Sequence, residues 1–314
     1  MSLLYIVIPC YNEEEVLPET AKRVTDKLQR LISAGLCDDN SRILFVDDGS
    51  RDKTWGIIEQ LHSENPFVCG LKLSRNKGHQ NALLAGLMAA KGICDCAISM
   101  DADLQDDIEV LDDFLKKFHE GCDVVYGVRK KRDKDTFFKR FTAESFYKLM
   151  NKMGVEVVFN HADYRLLSRR ALEGLSEFSE VNLFLRGIVP LIGYKSACVY
   201  YDRSERFAGE SKYPLKKMLS FALDGITSFS IKPLRIISNL GIIISVFSIV
   251  GLLYALISKL LGNAVPGWTA IIASVWLLGG IQLLCLGVIG EYIGKIYSET
   301  KRRPKYFVDR FLIK

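Results

Sequence analysis

"ISMDADLQDD", residues 98–107, is an apolar run that ends in two aspartates one residue apart, followed after Gln105 by two more. Four carboxylates this close together repel one another, so something must offset the repulsion. A metal ion, a helix N-terminus and plain solvent are the three candidates. Because a short apolar run bounded by polar residues is typical of a buried strand, the stretch predicts carboxylates at a strand end.

The four aspartates divide into two pairs. Asp101 and Asp103 are spaced so that one carboxylate can face a ribose while the other reaches a metal across a turn. Mg²⁺ and Mn²⁺ favour sites in which a few carboxylates share the coordination sphere with phosphates and water. The alternative is that the acids cap a helix starting near Ile108, which suits Asp106 and Asp107. We expect the first pair to be functional and the second to be structural.

Short β-rich runs alternate with segments of helical periodicity on both sides of this stretch. The runs are LLYIVIP (3–9), RILFVDD (42–48), VCGLKLS (68–74), CAISMDA (96–102) and DVVYGVR (123–129). The helical segments are 14–34, 54–65, 80–90 and 108–120. Such alternation predicts an α/β domain with a parallel sheet and helices on both faces.

Ligands of such sheets bind outside the carboxyl ends of the strands, so the residues after each run are candidate binding residues. Nearly all are polar, and two of the five groups contain acidic pairs: 9–13, 47–50, 74–76, 101–103 and 127–129. No G-x-G-x-x-G follows the first strand and no G-x-x-x-x-G-K-[ST] occurs, which argues against dinucleotide and P-loop sites. A nucleotide can still bind through carboxylates, with a divalent cation on its phosphates.

Two other acidic stretches each have two interpretations. The DDGS stretch (47–50) is either part of a site or only a turn, because Asp-Gly is a strong turn signal. Asp163, in HADYRLLSRRAL (161–172), is either a functional residue or a helix N-cap.

A basic stretch, ERFAGESKYPLKKML (205–219), also has two interpretations. It is either an exposed loop attracted to lipid headgroups or a mobile loop whose Arg206 and Lys212 clamp phosphates. The segment after it, 213–235, is amphipathic enough to lie at a membrane interface.

Two long apolar blocks, 236–257 and 268–289, contain no Asp, Glu, Lys, Arg or His. Each is about 22 residues long, enough at ~1.5 Å per residue to cross a ~30 Å hydrocarbon core. The alternative is a buried helical hairpin in a soluble protein. We expect two transmembrane helices.

Lysines and arginines flank the two blocks on both outer sides, whereas the loop between them, 258–267, has one charge. The positive-inside rule then predicts a multi-pass protein of the cytoplasmic (inner) membrane with its N-terminal domain in the cytoplasm. The opening residues lack the basic region of a signal peptide. The expected parts are a catalytic domain, an amphipathic segment, two transmembrane helices and a basic cytoplasmic tail, at 1–212, 213–235, 236–293 and 294–314.

The net charge is +5, and most of the excess lies beside the apolar blocks. Anionic lipid explains this better than nucleic acid, which is not an expected partner. The eight cysteines show no C-x-x-C spacing, so we expect small buried side chains and no zinc site.

Seven motifs occur in the order found in one family. They are VIPCYNEEE, VDDGSRDKT, LSRNKGHQNALLAGL, MDADLQDD, VVYGVR, ADYRLLSR and RFAGESKY. In combination the series resembles the family 2 glycosyltransferases that use a GT-A fold. It is most similar to the polyprenyl-phosphate glycosyltransferases, which include dolichol-phosphate mannose synthase and the bacterial bactoprenol glucosyltransferases. The resemblance implies an α/β GT-A (Rossmann-like) cytoplasmic domain with interfacial helices and two C-terminal transmembrane helices.

The resemblance also implies roles for individual residues. The nucleotide would be held by Pro9, Tyr11, Asn12, Glu13 and Asp48. Asp101 and Asp103 would be the D-x-D pair that binds Mg²⁺ or Mn²⁺, with Asp103 the main ligand, and Gln105 would contact the sugar. Phosphate groups would be held by Arg129, Arg206 and Lys212. Asp163 would be the catalytic base.

The implied reaction is inverting transfer of one sugar from a nucleotide-sugar donor to polyprenyl (undecaprenyl) phosphate. Glucose on UDP is the expected donor, with mannose, galactose, N-acetylglucosamine and aminoarabinose as alternatives. No Q-x-x-R-W motif occurs, which argues against polymer synthesis. Because a phosphate monoester has its second pKa near ~6, the acceptor needs little deprotonation at neutral pH. Asp163 could therefore orient Arg165 or sugar hydroxyls instead.

A hypothesis of another class is a membrane-anchored nucleotide-sugar-binding scaffold without catalysis, although the intact acids argue against it. A flippase and a downstream glycosyltransferase are expected partners. Small residues in the apolar blocks also permit helix association, so a homo-oligomer is expected.

Overall fold

The computed structural model describes residues 1–130, 161–180, 184–202, 230, 232–261 and 267–314. The chain divides into two compact units, one holding the sheet and the other holding two long C-terminal helices. Arg206, Lys212 and most of the predicted amphipathic segment lie outside the described residues.

Within the described residues the first unit contains one sheet with strand order β7-β5-β6-β4-β1-β2-β3-β8. The strands are β1 (Leu4–Cys10), β2 (Arg42–Asp47), β3 (Val68–Leu73), β4 (Cys96–Ser99), β5 (Val124–Arg129), β6 (His161–Ser168), β7 (Ser196–Tyr201) and β8 (Val308–Leu312). All five strands predicted from the apolar runs are confirmed as β1 to β5.

The helices of this unit cover the sheet. They are α1 (Leu17–Ser33), α2 (Thr54–Glu64), α3 (His79–Lys91), α4 (Leu111–His119), α5 (Arg169–Ser176) and α6 (Leu185–Leu191), with a 3₁₀ turn at Ile108–Val110 directly before α4. The four helical segments predicted from periodicity are confirmed as α1 to α4.

The sheet is mixed, which corrects the expectation of a parallel sheet. Strands β3, β2, β1 and β4 pair in parallel, but β6 lies antiparallel between β4 and β5, and β8 is antiparallel to β3. Buried Tyr164, Leu166 and Leu167 make β6 a core strand. The N-cap interpretation of Asp163 is therefore wrong, because Ser168 caps α5 by accepting the backbone N–H of Ala171.

Helix α3 packs directly on the centre of the sheet. A Cβ atom on Gly86 would lie 2.7 Å from a methyl of Val46 and closer still to Val7, so only a glycine permits this approach. The close packing fixes the first turn of α3, which begins at His79, at the carboxyl ends of the central strands.

Part of the predicted basic tail, 294–314, forms a strand of the sheet. Strand β8 pairs with the edge strand β3, with Leu312 opposite Gly70, and Arg310 forms a 2.9 Å ion pair with Glu59 of α2. The edge of a sheet presents unpaired backbone groups, which β8 satisfies along β3.

The second unit contains α7 (Lys232–Leu260) and α8 (Trp268–Thr300), which contact each other. Large apolar side chains are exposed on both helices, among them Ile242 and Leu283. Among the described residues one helical segment, Leu277–Thr300, is long and apolar enough to cross a membrane. The predicted span 268–289 overlaps this segment only in part, and the predicted span 236–257 lies within α7 (Lys232–Leu260); two transmembrane helices therefore stay a prediction.

Candidate active site

The loops after β1 and β2 are joined by hydrogen bonds. The side-chain oxygen of Asn12 accepts the N–H of Arg51 at 2.9 Å, and the Asn12 N–H donates to Ser50 Oγ at 3.0 Å. Asn12 adopts a left-handed conformation with φ of 54°, a backbone state that asparagine tolerates better than most residues. Of the two nucleotide candidates nearby, Pro9 lies in β1 and is buried, whereas Tyr11 follows the strand and is exposed.

A cavity of about 500 Å³ lies beside the joined loops. It is lined by Asn12, Glu13, Glu14, Glu15, Val16, Arg51 and Asp52. The lining is mostly acidic, so its polar surface suits hydroxyl and amine groups better than phosphates.

Asp48 holds the loop that starts α3. Its two carboxylate oxygens accept the backbone N–H groups of Lys77, at 2.7 Å, and Gly78, at 2.8 Å. Burial raises the pKa of Asp48, although these two hydrogen bonds oppose the shift. Gly78 has a φ of 86°, which favours glycine, and His79 follows it. The Asp48 carboxylate is therefore used within the protein, and contact with a nucleotide remains a prediction.

The D-x-D pair follows β4 in a tight turn. Asp101 and Asp103 are both partly exposed, and Asp103 Oδ1 accepts the backbone N–H of Gln105 at 3.2 Å. Burial in the site raises the pKa of Asp101 to about 6, and the carboxylates of Asp106, Asp163 and Asp103 add to the rise, whereas His79 opposes it.

The second acidic pair behaves as predicted only in part. Asp107 is an N-cap whose carboxylate accepts the N–H of Glu109 at 2.9 Å, which confirms its structural role. Asp106 is not a cap, which corrects the prediction. Because the cap position falls one residue later, Asp106 turns inward, is buried, and accepts the hydroxyl of Tyr201 at 2.5 Å.

Arg129 also contacts the hydrogen-bonded pair of Asp106 and Tyr201. Its Nε donates to the hydroxyl of Tyr201 at 3.3 Å, and its Nη2 is 3.6 Å from Asp106 Oδ1. Tyr201 therefore joins the D-x-D turn to the arginine that was predicted to hold phosphate.

Asp163 lies at the centre of a buried ionic cluster. Its carboxylate is 2.5 Å from Arg165 Nη2 and 3.0 Å from Arg186 Nη2, and it accepts the amide of Gln80 at 3.1 Å. Burial alone would raise the pKa of Asp163, but Arg186, His79 and Arg165 together lower it well below the usual range. The role of Asp163 as a catalytic base stays a prediction.

His79 connects this cluster to the D-x-D pair. Its Nε2 atom is 3.6 Å from Asp101 Oδ1 and 3.7 Å from Asp163 Oδ2. Burial lowers the pKa of His79, yet the two carboxylates outweigh burial and the net shift is upward. The ring thus places partial positive charge between two carboxylates.

The sequence motifs did not predict a role for four residues of the site: His79, Gln80, Arg186 and Tyr201. The first two belong to the LSRNKGHQNALLAGL motif, where a glycine before a polar pair at a helix start was an available signal. Arg186 is a single charge in the apolar run FLRGIVPL, which was a second signal.

The side chains of the site can bind a divalent cation only if the substrate supplies further ligands to the ion. No group of three or more His, Cys, Asp or Glu side chains in the described parts of the chain could hold a metal. Asp101 and Asp103 provide two carboxylates, and Mg²⁺ sites of this kind take their other ligands from substrate phosphates and water. The residues present therefore fit a metal bound together with a diphosphate.

The mixed sheet and the D-x-D turn at its carboxyl edge define a GT-A-like α/β fold. Residues 5–176 match the family described as "Glycosyl transferase family 2", and residues 232–296 match the one described as "GtrB C-terminal hairpin". The chain belongs to glycosyl transferase family 2 and is a transferase.

Three relatives illustrate the similarity, and each is matched over nearly its full length. The uncharacterized glycosyltransferase YkoT of Bacillus subtilis (strain 168) is 58% identical over 307 residues, covering 98% of this chain and 91% of the relative. A prophage bactoprenol glucosyl transferase homolog of Escherichia coli (strain K12) is 43% identical, with 97% and 98% covered. The bactoprenol glucosyl transferase of Shigella phage SfV is 41% identical, with 96% and 97% covered.

Proposed function

We propose that this protein transfers a single glucose from UDP-glucose to the phosphate of bactoprenol (undecaprenyl phosphate) at the cytoplasmic face of the membrane. The observation that carries the proposal is the 41–43% identity, over both the sheet unit and the C-terminal helices, to relatives named for bactoprenol glucosyl transfer. The D-x-D turn, which His79 links to the ionic cluster around Asp163, supports the same chemistry.

In the proposed reaction a phosphate oxygen of the acceptor attacks C1 of the sugar. The new O–C1 bond forms as the bond from C1 to the UDP oxygen breaks, with inversion at C1, and the bonding electrons leave on the diphosphate. Because the acceptor is already largely dianionic at neutral pH, with a second pKa near ~6, no strong base is required. The lowered pKa of Asp163 agrees with a role other than proton abstraction.

We further propose that Asp101 and Asp103 hold Mg²⁺ or Mn²⁺ when the donor is bound. Such an ion would neutralise charge that develops on the leaving diphosphate. The carboxylates of Asp101 and Asp103, two residues apart in one turn, support this assignment, because such ions take carboxylate oxygens together with phosphate oxygens. Arg129, fixed by Tyr201, would contact the phosphates from the opposite side of the turn.

The donor nucleotide would lie along the joined loops after β1 and β2. Exposed Tyr11 offers a ring on which a base can stack, and Asn12 and Glu13 lie beside the cavity. Gln105, at the end of the D-x-D turn, would face the sugar. Arg206 and Lys212 stay predictions for the acceptor phosphate, since both lie outside the described residues.

The membrane arrangement is likewise proposed. Exposed apolar side chains on α7 and α8 support burial in lipid, and the match to a C-terminal hairpin supports two spans. Four partners remain part of the proposal. Small residues in the apolar blocks favour a homo-oligomer, and the basic flanks favour anionic lipid. The resemblance to polyprenyl-phosphate glycosyltransferases implies a flippase and a downstream glycosyltransferase.

The deciding experiment incubates the purified full-length protein with undecaprenyl phosphate, Mg²⁺ and one labelled donor at a time. The donors are UDP-glucose, UDP-galactose, UDP-N-acetylglucosamine and GDP-mannose, and the product is a lipid-linked sugar identified by mass spectrometry. We expect label in lipid from UDP-glucose only, and none when undecaprenol replaces its phosphate. A product from a different donor would overturn glucose, and no lipid product from any donor would overturn the proposed function.

A further inference from the structure

Strand β8 meets the rest of the sheet at the point where β3 ends and a loop begins. Residues 74–78 form this β3–α3 loop, which joins β3 to helix α3. The ladder between β8 and β3 continues past a shift of register to pair Val308 with Leu73. One residue further, the carbonyl of Phe307 accepts the N–H of Ser74 at 2.9 Å. The first residue of the loop is therefore bonded to the residue directly before β8.

The β3–α3 loop lies against the loop after β2. Gly49 adopts a left-handed conformation with φ of 66°, and a Cβ atom there would lie 2.6 Å from the backbone of Arg75 and Asn76. Only a glycine permits so close an approach. The neighbouring Asp48 carboxylate binds two N–H groups at the other end of the β3–α3 loop. The loop is therefore held at its start by the C-terminal segment and at its end by Asp48.

The end of the β3–α3 loop determines where His79 lies. Gly78 is the N-cap of α3, and the side chain of Asn81 donates to the Lys77 carbonyl at 2.8 Å. His79 begins the helix, and its Nε2 atom is 3.6 Å from Asp101 Oδ1 of the D-x-D pair. A continuous series of contacts thus runs from the C-terminal segment to a D-x-D carboxylate.

Contacts at several points hold the C-terminal segment 305–314 on the sheet unit. Leu312 packs against the hydrophobic core. Three side chains form polar contacts, which are Lys305 to the Phe178 carbonyl at 3.1 Å, Arg310 to Glu59 at 2.9 Å and Lys314 to the Asn65 carbonyl at 3.1 Å. Covering the edge of β3 requires pairing along that strand only. The bond from Phe307 to Ser74 reaches the loop beyond it.

We infer that β8 is a positioning element for the donor side of the active site, acting through the bond between Phe307 and Ser74. The inference rests on the proposed function, in which the donor nucleotide lies along the loops after β1 and β2. The β3–α3 loop supports the second of these loops at Asp48 and Gly49. Without the bond to Phe307 the β3–α3 loop gains freedom, so the donor binds to a less preorganised site.

The test measures equilibrium binding of UDP, with Mg²⁺ present, to full-length protein in lipid nanodiscs. Ser74→Pro removes the N–H that donates to Phe307, and Ser74→Ala is the matched control because it keeps that N–H. We expect Ser74→Pro to weaken UDP binding by about 3–10-fold, the factor that corresponds to one net hydrogen bond. Ser74→Ala should bind UDP as the wild type does. Wild-type UDP affinity in Ser74→Pro would overturn the inference.

Two further measurements separate positioning from general stability. Leu312→Ala removes packing at the far end of β8, so it should lower the unfolding temperature and leave UDP affinity unchanged. If this variant weakens UDP binding as much as Ser74→Pro does, β8 only stabilises the edge of the sheet and the inference is wrong. Undecaprenyl phosphate, titrated separately, should bind equally to all variants. Equal weakening of both ligands in Ser74→Pro would likewise overturn a role on the donor side.

If Ser74→Pro does not fold, as judged by thermal unfolding, hydrogen exchange of the wild-type protein replaces it. Linkage requires that UDP strengthens the bond between Phe307 and Ser74 by the same factor as the bond strengthens UDP binding. Saturating UDP and Mg²⁺ should therefore slow exchange of the Ser74 amide by about 3–10-fold. The amide of Val68, at the opposite end of β3, donates to the Asn65 carbonyl and should exchange at an unchanged rate. Unchanged exchange at Ser74 would overturn the inference.

The outcomes for this inference and for the proposed function are distinguishable, because binding and exchange are measured without turnover. A wild-type protein that binds UDP in a Ser74-dependent way but transfers no sugar would refute the proposed function alone. Sugar transfer by the wild type, together with wild-type UDP affinity in Ser74→Pro, would refute the inference alone.

Discussion

The hydroxyl of Tyr201, at the end of β7, donates a 2.5 Å hydrogen bond to the carboxylate of Asp106, in the turn after β4. Both residues are buried, and the other oxygen of Asp106 has no hydrogen-bond partner among the described residues. The proximity of Asp106 raises the pKa of Tyr201 further than burial alone, so the phenol stays protonated and remains a donor. One contact thus holds the D-x-D turn against the strand that carries Tyr201.

Replacing Tyr201 with phenylalanine should destabilise the protein by about 1–3 kcal/mol, because a buried carboxylate loses its hydrogen-bond donor. The change should also reduce sugar transfer, since Arg129 loses its own contact with the hydroxyl. Thermal unfolding and transfer assays measure the two effects. Tyr200→Phe, at the exposed neighbouring position of β7, is the control and should alter neither. Wild-type stability in Tyr201→Phe would contradict the role of this contact.

The two acidic pairs after β4 should separate by function. Asp103→Ala should abolish transfer while the protein remains folded, because a carboxylate proposed to bind the metal is lost. Asp107→Ala removes a helix cap and should cost about 0.5–2 kcal/mol of stability with transfer retained. Circular dichroism melts and the lipid-product assay distinguish the pairs. Appreciable turnover by Asp103→Ala would exclude its role as main metal ligand.

Removal of divalent cations should stop transfer without unfolding the protein. The two D-x-D carboxylates alone make a weak site, so EDTA should strip the ion readily, and added Mg²⁺ or Mn²⁺ should restore activity. Transfer is measured before and after chelation, with Ca²⁺ as a comparison ion. Full activity in EDTA would show that the charge of the diphosphate is neutralised by arginines and lysines alone.

The central strands could be predicted from the sequence because each is a continuous apolar run that ends in polar residues. Strand β6 could not, since its alternation of polar and apolar residues does not show that it inserts antiparallel between β4 and β5. That insertion brings Asp163 beside Ser99, whose hydroxyl donates to the Asp163 carbonyl at 2.5 Å. The register of a strand with respect to its neighbour depends on tertiary packing, which no local pattern contains.

The D-x-D pair illustrates the same limit within the site. The apolar run before the pair predicted that it lies at a strand end. The spacing of the two carboxylates predicted that it binds a divalent cation. The inward turn of Asp106 depends on the helix cap falling at Asp107 instead, a difference of one residue that sequence patterns do not resolve. His79 and Arg186 approach Asp163 from two helices, so their convergence on it requires the three-dimensional fold.

The packing of α3 on the sheet can be tested at two glycines of the same region. Gly86→Ala should destabilise the protein by about 1–3 kcal/mol, because the added methyl would overlap Val7 and Val46. Gly92, just after α3, has no atom within 4 Å of an added Cβ and a φ of −79°, so Gly92→Ala should be neutral or slightly stabilising. Chemical unfolding of both variants measures the difference, and equal stabilities would contradict the close approach.

The loop that starts α3 should depend on the charge of Asp48. Asp48→Asn replaces one of two acceptor oxygens by an amide, so one of the N–H groups of Lys77 and Gly78 loses its partner. We expect a loss of about 1–3 kcal/mol and faster hydrogen exchange at these two amides. Asp39→Asn, at an exposed position, is the control and should leave both rates unchanged. If exchange at Lys77 and Gly78 is unaltered in Asp48→Asn while UDP binding is lost, then Asp48 serves the nucleotide and not the loop.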